Sequence, residues 1–409
     1  MITILTGCGI YHKSLNSDLT LATVTGNISK VKECVAKGAD VNTADIDGYT
    51  ALQLAASDNH KEITRFLISK GAKVDLLSAA GIGDIQMTRN LVSKGADINT
   101  TGKYGDTPLH WASKNGHAKV VAYLLGNGAR TDIRTKDIGW TPLHYASDNG
   151  HLDVARLLIS NKASIDAKDF AGSAPLIYAV TSHRKEMIAL LSSLGADINA
   201  RDDHGMIPLD WAVYKEPVAI VKELLRCGAD VKAKDVYKYT PLHWAVRATR
   251  NDIAKLLILS GCKPDIYVAA GLGDTDLVKL LLAKKGFDIN TQDGLGYTAL
   301  HWAAECGRVD TATFLIAQGA DIDIKSRIGG YTPLHAALYG PGTISLGDPV
   351  GERWCGVRRE GNKEVARILV LKGADPTVKD NIRHLTPIRL AQICEYKQVY
   401  NLMRQKTRK

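Results

Sequence analysis

The tetrapeptide Thr-Pro-Leu-His recurs along this chain, intact at Thr107–His110, Thr141–His144, Thr240–His243 and Thr332–His335. Altered copies stand at Thr50–Gln53, Ala174–Ile177, Ile207–Asp210, Thr298–His301 and Thr386–Arg389. From Thr107 to Thr141, from Ala174 to Ile207 and from Ile207 to Thr240, the step is about 33 residues. A period this regular dictates a linear array in which each unit buries its apolar face against its neighbours. Function then belongs to an extended surface before it belongs to a single pocket.

The stretch from Tyr104 to Lys136 shows what one unit contains. Thr107 can accept a hydrogen bond from a first-turn N–H of a helix, and Pro108 falls at the first helical position, where its missing donor costs nothing. Asn115-Gly116 stops that short helix. Val120, Val121, Leu124 and Leu125 recur at helical spacing in a second helix, which Gly128 ends. The polar run from Ala129 to Asp137 suits a loop or hairpin leading to the next Thr.

This turn, helix pair and T-P-L-H-x-A pattern resembles the ankyrin repeat. A closing Gly-Ala-Asp-Val/Ile-Asn recurs with it at Gly38–Asn42, Gly95–Asn99 and Gly195–Asn199. The resemblance extends from about Asn16 to the C-terminus. It implies an all-α ankyrin-repeat solenoid of about eleven helix-turn-helix units with projecting loops or hairpins. The expected organisation is an N-terminal tail at 1–15, an array at 16–403 and a basic tail at 404–409.

Two units are short. LLSAAGIGD begins at Leu76 and IYVAAGLGD at Ile266, within short units near 76–102 and 266–293. The intervals from Gly71 to Ala79 and from Gly261 to Ala269 are equal, and each is about half that from Gly95 to Ala112. The missing residues are those of the projecting loop and the N-cap, so each short unit is expected to leave a notch in the row of loops. Ala79 and Ala269 hold matching places far apart in the chain, which suggests a duplication of several repeats. A second irregularity is a Gly- and Pro-rich insertion at 339–360, where other units have a tight turn. A loop this long is either functional or a tolerated surface insertion.

Composition narrows the function classes. The seven cysteines are scattered and form no C-x-x-C pair, which favours reduced thiols over a metal site or a disulfide framework. There is no run of apolar residues long enough for a transmembrane segment. Leu5-Thr6-Gly7-Cys8 resembles a lipobox, but it lacks a basic leader and a full apolar stretch ahead of it. A cytoplasmic protein is therefore expected, with lipid anchoring through Cys8 or secretion as an effector as alternatives. The net charge of +9 is concentrated at the end: residues 330–409 hold 14 Lys/Arg against 7 Asp/Glu. That region could attract nucleic acid or an anionic surface, or could serve as the solvated cap that repeat arrays need.

The residue after the tetrapeptide is aromatic in five successive full repeats: Trp111, Tyr145, Tyr178, Trp211 and Trp244. Beyond the second short unit it is Trp302. Trp140, Met206, Tyr239 and Tyr297 stand just before the Thr position. Helical geometry sets Trp111 roughly opposite Leu109 and Ala112, away from the main core stripe. The ankyrin resemblance implies that this position points into a concave groove. Rigid aromatic area is favoured in binding anchors, although the rings could instead pack on neighbouring repeats.

The recurring His reads as structural, and no nucleotide loop or nucleophile elbow occurs. No cofactor is expected, and no enzyme. The first expectation is a monomeric, non-catalytic scaffold that binds a partner protein or peptide through Trp111, Trp140, Tyr145, Tyr178, Met206, Trp211, Tyr239, Trp244, Tyr297 and Trp302. A second is nucleic-acid or anionic-surface binding through the basic C-terminal region. A third is an inhibitor or accessory subunit acting through Arg353, Trp354, Arg358 and Arg359 of the insertion.

Overall fold

The computed structural model describes residues 15–340 and 360–407. The insertion residues Arg353, Trp354, Arg358 and Arg359, and the N-terminal Cys8, lie outside the described residues. The chain divides into two compact units, Met1–Ala200 and Arg201–Lys409.

In the first unit the helix pairs are α1 (Leu15–Val24) with α2 (Ile28–Ala36), α3 (Ala51–Ser57) with α4 (Lys61–Ser69), and α5 (Leu76–Ile82) with α6 (Ile85–Ser93). They continue with α7 (Pro108–Lys114) and α8 (Ala118–Gly126), α9 (Pro142–Asn149) and α10 (Leu152–Ser160), and α11 (Pro175–Thr181) and α12 (Lys185–Ser193). The second unit begins with α13 (Pro208–Lys215) and α14 (Val218–Arg226), α15 (Pro241–Arg247) and α16 (Asn251–Leu259), and α17 (Ile266–Leu272) and α18 (Thr275–Leu282). It ends with α19 (Ala299–Glu305) and α20 (Val309–Ala317), α21 (Pro333–Tyr339) and α22 (Glu360–Lys372), and α23 (Pro387–Ile393) and α24 (Lys397–Lys406). The result is an all-α repeat solenoid of twelve pairs among the described residues. The pair beyond the spacing count is the last, which starts at the Thr386 copy of the motif.

Each element follows from its residues. Thr107 caps α7 and forms a capping box with His110, with Pro108 in the first turn. Asn115 ends that helix and Gly116 takes the left-handed φ of 76° that lets the chain reverse. Within each unit, first helices stack on first helices. Their Leu and Ala positions form the core, with Leu52, Ala55, Leu143, Ala146, Leu176 and Ala179 in the first unit and Leu242, Ala245, Leu300, Ala303, Leu334 and Ala337 in the second, all fully buried. Burying one such leucine contributes about 1.5–3 kcal/mol.

Among the described residues there is no strand, only an isolated bridge between Ala44 and Thr50. No described helix is long and apolar enough to cross a membrane. The basic C-terminal run begins inside α24 rather than after the array. Cys34, Cys227, Cys262 and Cys306 are in the thiol form, whereas Cys394 is disulfide-bonded, against the expectation of reduced thiols throughout.

The notch expected at each short repeat is closed, and the N-cap expected to be missing is supplied by Asp75 for α5 and by Asp265 for α17. Tyr49, ahead of α3, donates its hydroxyl to Asp106 Oδ1 at 2.7 Å, across the short pair α5–α6. Tyr239 does the same in the second unit, reaching Asp293 Oδ2 at 2.6 Å across α17–α18. Lys103 also reaches back to the Ile46 carbonyl at 3.2 Å. Losing the projecting loop therefore brings the hairpins on either side into contact.

Candidate protein-interaction surface

An aspartate stands five positions ahead of many first-helix caps: Asp45, Asp169, Asp202, Asp235 and Asp293. One of its oxygens holds the hairpin turn. Asp169 Oδ1 accepts the N–H of Ala171 at 2.9 Å and of Ser173 at 2.8 Å, and Asp235 Oδ1 accepts those of Tyr237 and Tyr239 at 2.8 Å. The other oxygen holds the aromatic residue of the stripe. Trp211 Nε1 donates to Asp202 at 2.9 Å, Trp244 to Asp235 at 3.0 Å and Trp302 to Asp293 at 2.7 Å. The Tyr178 hydroxyl donates to Asp169 in the same way, and Trp111 Nε1 donates to Asp106. Tyr and Trp suit this position because each offers one polar edge to the carboxylate and a large apolar face to its surroundings.

In the first unit the stripe residues gather. The Trp140 ring lies 4.9 Å from Tyr145 and 4.4 Å from Tyr178, both edge-on. His144 lies beneath, 6.1 Å from Trp140 and 5.7 Å from Tyr178. Trp140, Tyr145 and Tyr178 are each half-buried, so their outer faces stay open to solvent. Trp111 is only 5% exposed because α5, the first helix of the first short repeat, carries Gly81, onto which its ring packs. A Cβ at Gly81 would sit 3.1 Å from that indole.

In the second unit Met206 and Trp211 are half-buried. Tyr239, Trp244, Tyr297 and Trp302 are buried, at 6% exposure or less. Three of them surround a cation: the Arg247 guanidinium lies 5.9 Å from the Trp244 ring, 5.4 Å from Tyr297 and 5.8 Å from Trp302. Its Nη2 donates to Glu305 Oε1 at 3.0 Å, and both residues are almost completely buried.

The motif histidines are fixed from both sides. Nδ1 of His110 accepts the Thr107 N–H at 3.0 Å, so Nε2 carries the proton that goes to the Trp140 carbonyl at 3.1 Å. His144, His301 and His335 repeat this arrangement toward Ser173, Tyr331 and Leu385. Burial pushes all four down to about 4, which keeps them neutral. Ahead of the short repeats no hairpin carbonyl is available. There His243 Nε2 meets Asp265 Oδ2 at 2.9 Å, and Gln53 donates to Asp75 Oδ2 at 2.6 Å.

Sequence reasoning found the stripe and missed the aspartates that anchor it, although the offset of five from the cap shared by Asp169, Asp202, Asp235 and Asp293 was readable. It also missed the pairing of Arg247 with Glu305, which are 58 residues apart. Among the described residues no cluster of His, Cys, Asp or Glu is arranged to hold a metal ion. Several C-terminal cations are engaged locally: Arg367 with Glu364, Lys363 with Glu360, and Lys406 with the carbonyls of Val370 and Leu371.

A family model described as ankyrin repeats (3 copies) matches residues 2–78, 76–169, 169–235, 204–267 and 266–345, and a single ankyrin repeat matches 329–381. The putative ankyrin repeat protein YahD of Escherichia coli (strain K12) is 32% identical over 138 residues, 31% of this chain and 68% of that protein. Palmitoyltransferase Hip14 of Drosophila melanogaster is 34% identical over 117 residues, 29% of this chain and 15% of that protein. Palmitoyltransferase ZDHHC13 of Mus musculus is 34% identical over 120 residues, 29% of this chain and 16% of that protein. The matched stretch is thus a small fraction of either palmitoyltransferase, and their enzymatic names carry nothing about catalysis here.

Proposed function

The chain belongs to the ankyrin-repeat family, whose repeats are protein–protein interaction modules, and on that footing we propose that it is a non-catalytic scaffold gripping a partner protein or peptide on its aromatic stripe. The observation that carries this reading is the interlocked, half-exposed set of Trp140, Tyr145 and Tyr178. These rings are held by packing and by Asp169, so little rotamer freedom is lost when a partner covers them. In the second unit Met206 and Trp211 are the accessible members of the same series. Trp111, Tyr239, Trp244, Tyr297 and Trp302 contribute from below, by setting the position of the hairpins and helices that carry the surface.

The test starts with peptides selected from a random display library on the full chain. Their dissociation constants are then measured against the wild type and against Trp140→Ala/Tyr178→Ala, with melting temperatures recorded in parallel. Removing two central aromatic anchors should cost about 2 kcal/mol or more, roughly thirty-fold in affinity. Unchanged affinity beside a lowered melting temperature would make the stripe a packing feature only.

A further inference from the structure

The two short repeats follow one plan, and the difference between them exposes a pocket. Up to the shortened first helix, Gly71 matches Gly261 and Ala79 matches Ala269, and the same register pairs Ser57 with Arg247. In the repeat that follows, the register moves by one position, pairing Trp111 with Trp302 and Lys114 with Glu305. In the second unit Arg247 fills the space beside the short helix α17. It is 3% exposed, is enclosed by Trp244, Tyr297 and Trp302, and donates to Glu305. The second unit therefore carries its own guanidinium in an aromatic and carboxylate cage.

In the first unit Ser57 is too short to fill the corresponding place. What remains is an open cavity of about 350 Å³, contained within that unit. Tyr104, Trp111 and Tyr145 line it as aromatic walls. Asp45, Asp58, Asp106 and Asp137 line it as carboxylates, and Asp47 with its partner Lys103 stands at the edge. Lys114 lies on the rim, bonded to Ser57 Oγ at 3.1 Å and Asp58 at 2.7 Å. Five carboxylates thus face two ammonium groups, and the balance is negative. The same field is felt by Tyr145, whose hydroxyl is pushed up by burial first and then by Asp137, Asp106 and Asp148.

We propose that this pocket receives the guanidinium of an arginine side chain on the partner protein, in the place that Arg247 fills from within in the second unit. Arginine fits better than lysine because its planar head stacks on ring faces and bonds a carboxylate through two N–H groups. The proposal rests on the reading of the chain as a protein-interaction module, and it names the chemistry of the side chain that one part of the surface selects.

The probe is N-acetylarginine amide, titrated into the full chain with N-acetylcitrulline amide as its neutral isostere. Binding is followed through the Trp111 indole N–H resonance, assigned with Trp111→Phe. The arginine compound should shift that resonance saturably, and citrulline should bind at least tenfold more weakly. Ser57→Arg/Lys114→Glu rebuilds the second unit's ion pair inside the pocket. It should abolish the shift while the melting temperature holds or rises. Equal binding of citrulline, no saturable shift in the wild type, or a shift that survives in a folded Ser57→Arg/Lys114→Glu protein would each overturn the proposal. Library-selected peptides separate the two readings. If Trp140→Ala/Tyr178→Ala weakens them and Ser57→Arg/Lys114→Glu does not, the scaffold stands and the arginine pocket falls. If neither variant weakens them, both fall.

Discussion

At the scale of single residues, Asp210 stands where other repeats place the motif histidine. Its Oδ2 accepts the Ile207 N–H at 2.9 Å, as histidine Nδ1 does elsewhere. Ionised, it has no proton to give to the next hairpin, and its Oδ1 has no hydrogen-bond partner among the described residues. Burial raises its pKa well above the usual carboxylate range, so the site favours a neutral group. Asp210→His should therefore stabilise the chain by about 1–2 kcal/mol at pH 7, read as a higher melting temperature; an unchanged or lower value would contradict the assigned role.

The native histidines make a second prediction at this scale. Their folded pKa is about 4 against 6.5 unfolded. Their stabilising contribution is complete above pH 6.5 and is lost as pH falls toward 4, because the unfolded chain binds the protons first. His144→Gln, which borrows the residue found at Gln53, should make the fall in melting temperature between pH 6.5 and 4 shallower. An unaltered slope would mean that His144 is not held neutral.

Much of this was legible in the sequence. Thr as cap, Pro in the first turn, Leu in the core and His as a fixed donor all follow from local chemistry. The burial of Trp111 was not, because it depends on Gly81 in the preceding repeat, and helical periodicity speaks only for one helix at a time.

At the scale of elements, the short repeats explain why residues more than fifty positions apart depend on one another. Arg247 on α15 and Glu305 on α19 meet beside α17, and both are almost completely buried. Arg247→Ala would leave Glu305 buried and unpaired, a loss of about 3–5 kcal/mol, whereas Arg247→Met/Glu305→Leu should recover most of it. Denaturant titration of both variants checks the order; equal losses would mean that the lost packing matters and the orphaned charge does not. Gly271 belongs to the same arrangement, since a Cβ there would lie 2.5 Å from Val246. Gly271→Ala should destabilise for that reason, although alanine is the better helix former. That the two short repeats share one plan was readable from the matching intervals Gly71–Ala79 and Gly261–Ala269. The contacts that close the notch were not, because nothing in a regular repeat period announces a partner 54 or 57 residues away.

At the scale of the molecule, a linear array localises both damage and binding. Disruption at Arg247 should raise hydrogen exchange in the neighbouring repeats of the second unit while α7–α11 of the first unit keep their protection. The same experiment tests the central claim, that the chain is an interaction module whose working surface includes the Trp140–Tyr145–Tyr178 set. Hydrogen exchange is measured on the full chain, free and saturated with a library-selected peptide. The account predicts new protection over residues 135–148 and 169–181, the hairpins and first helices that carry those rings. Protection confined to residues 360–407, or absent from the first unit altogether, would contradict it.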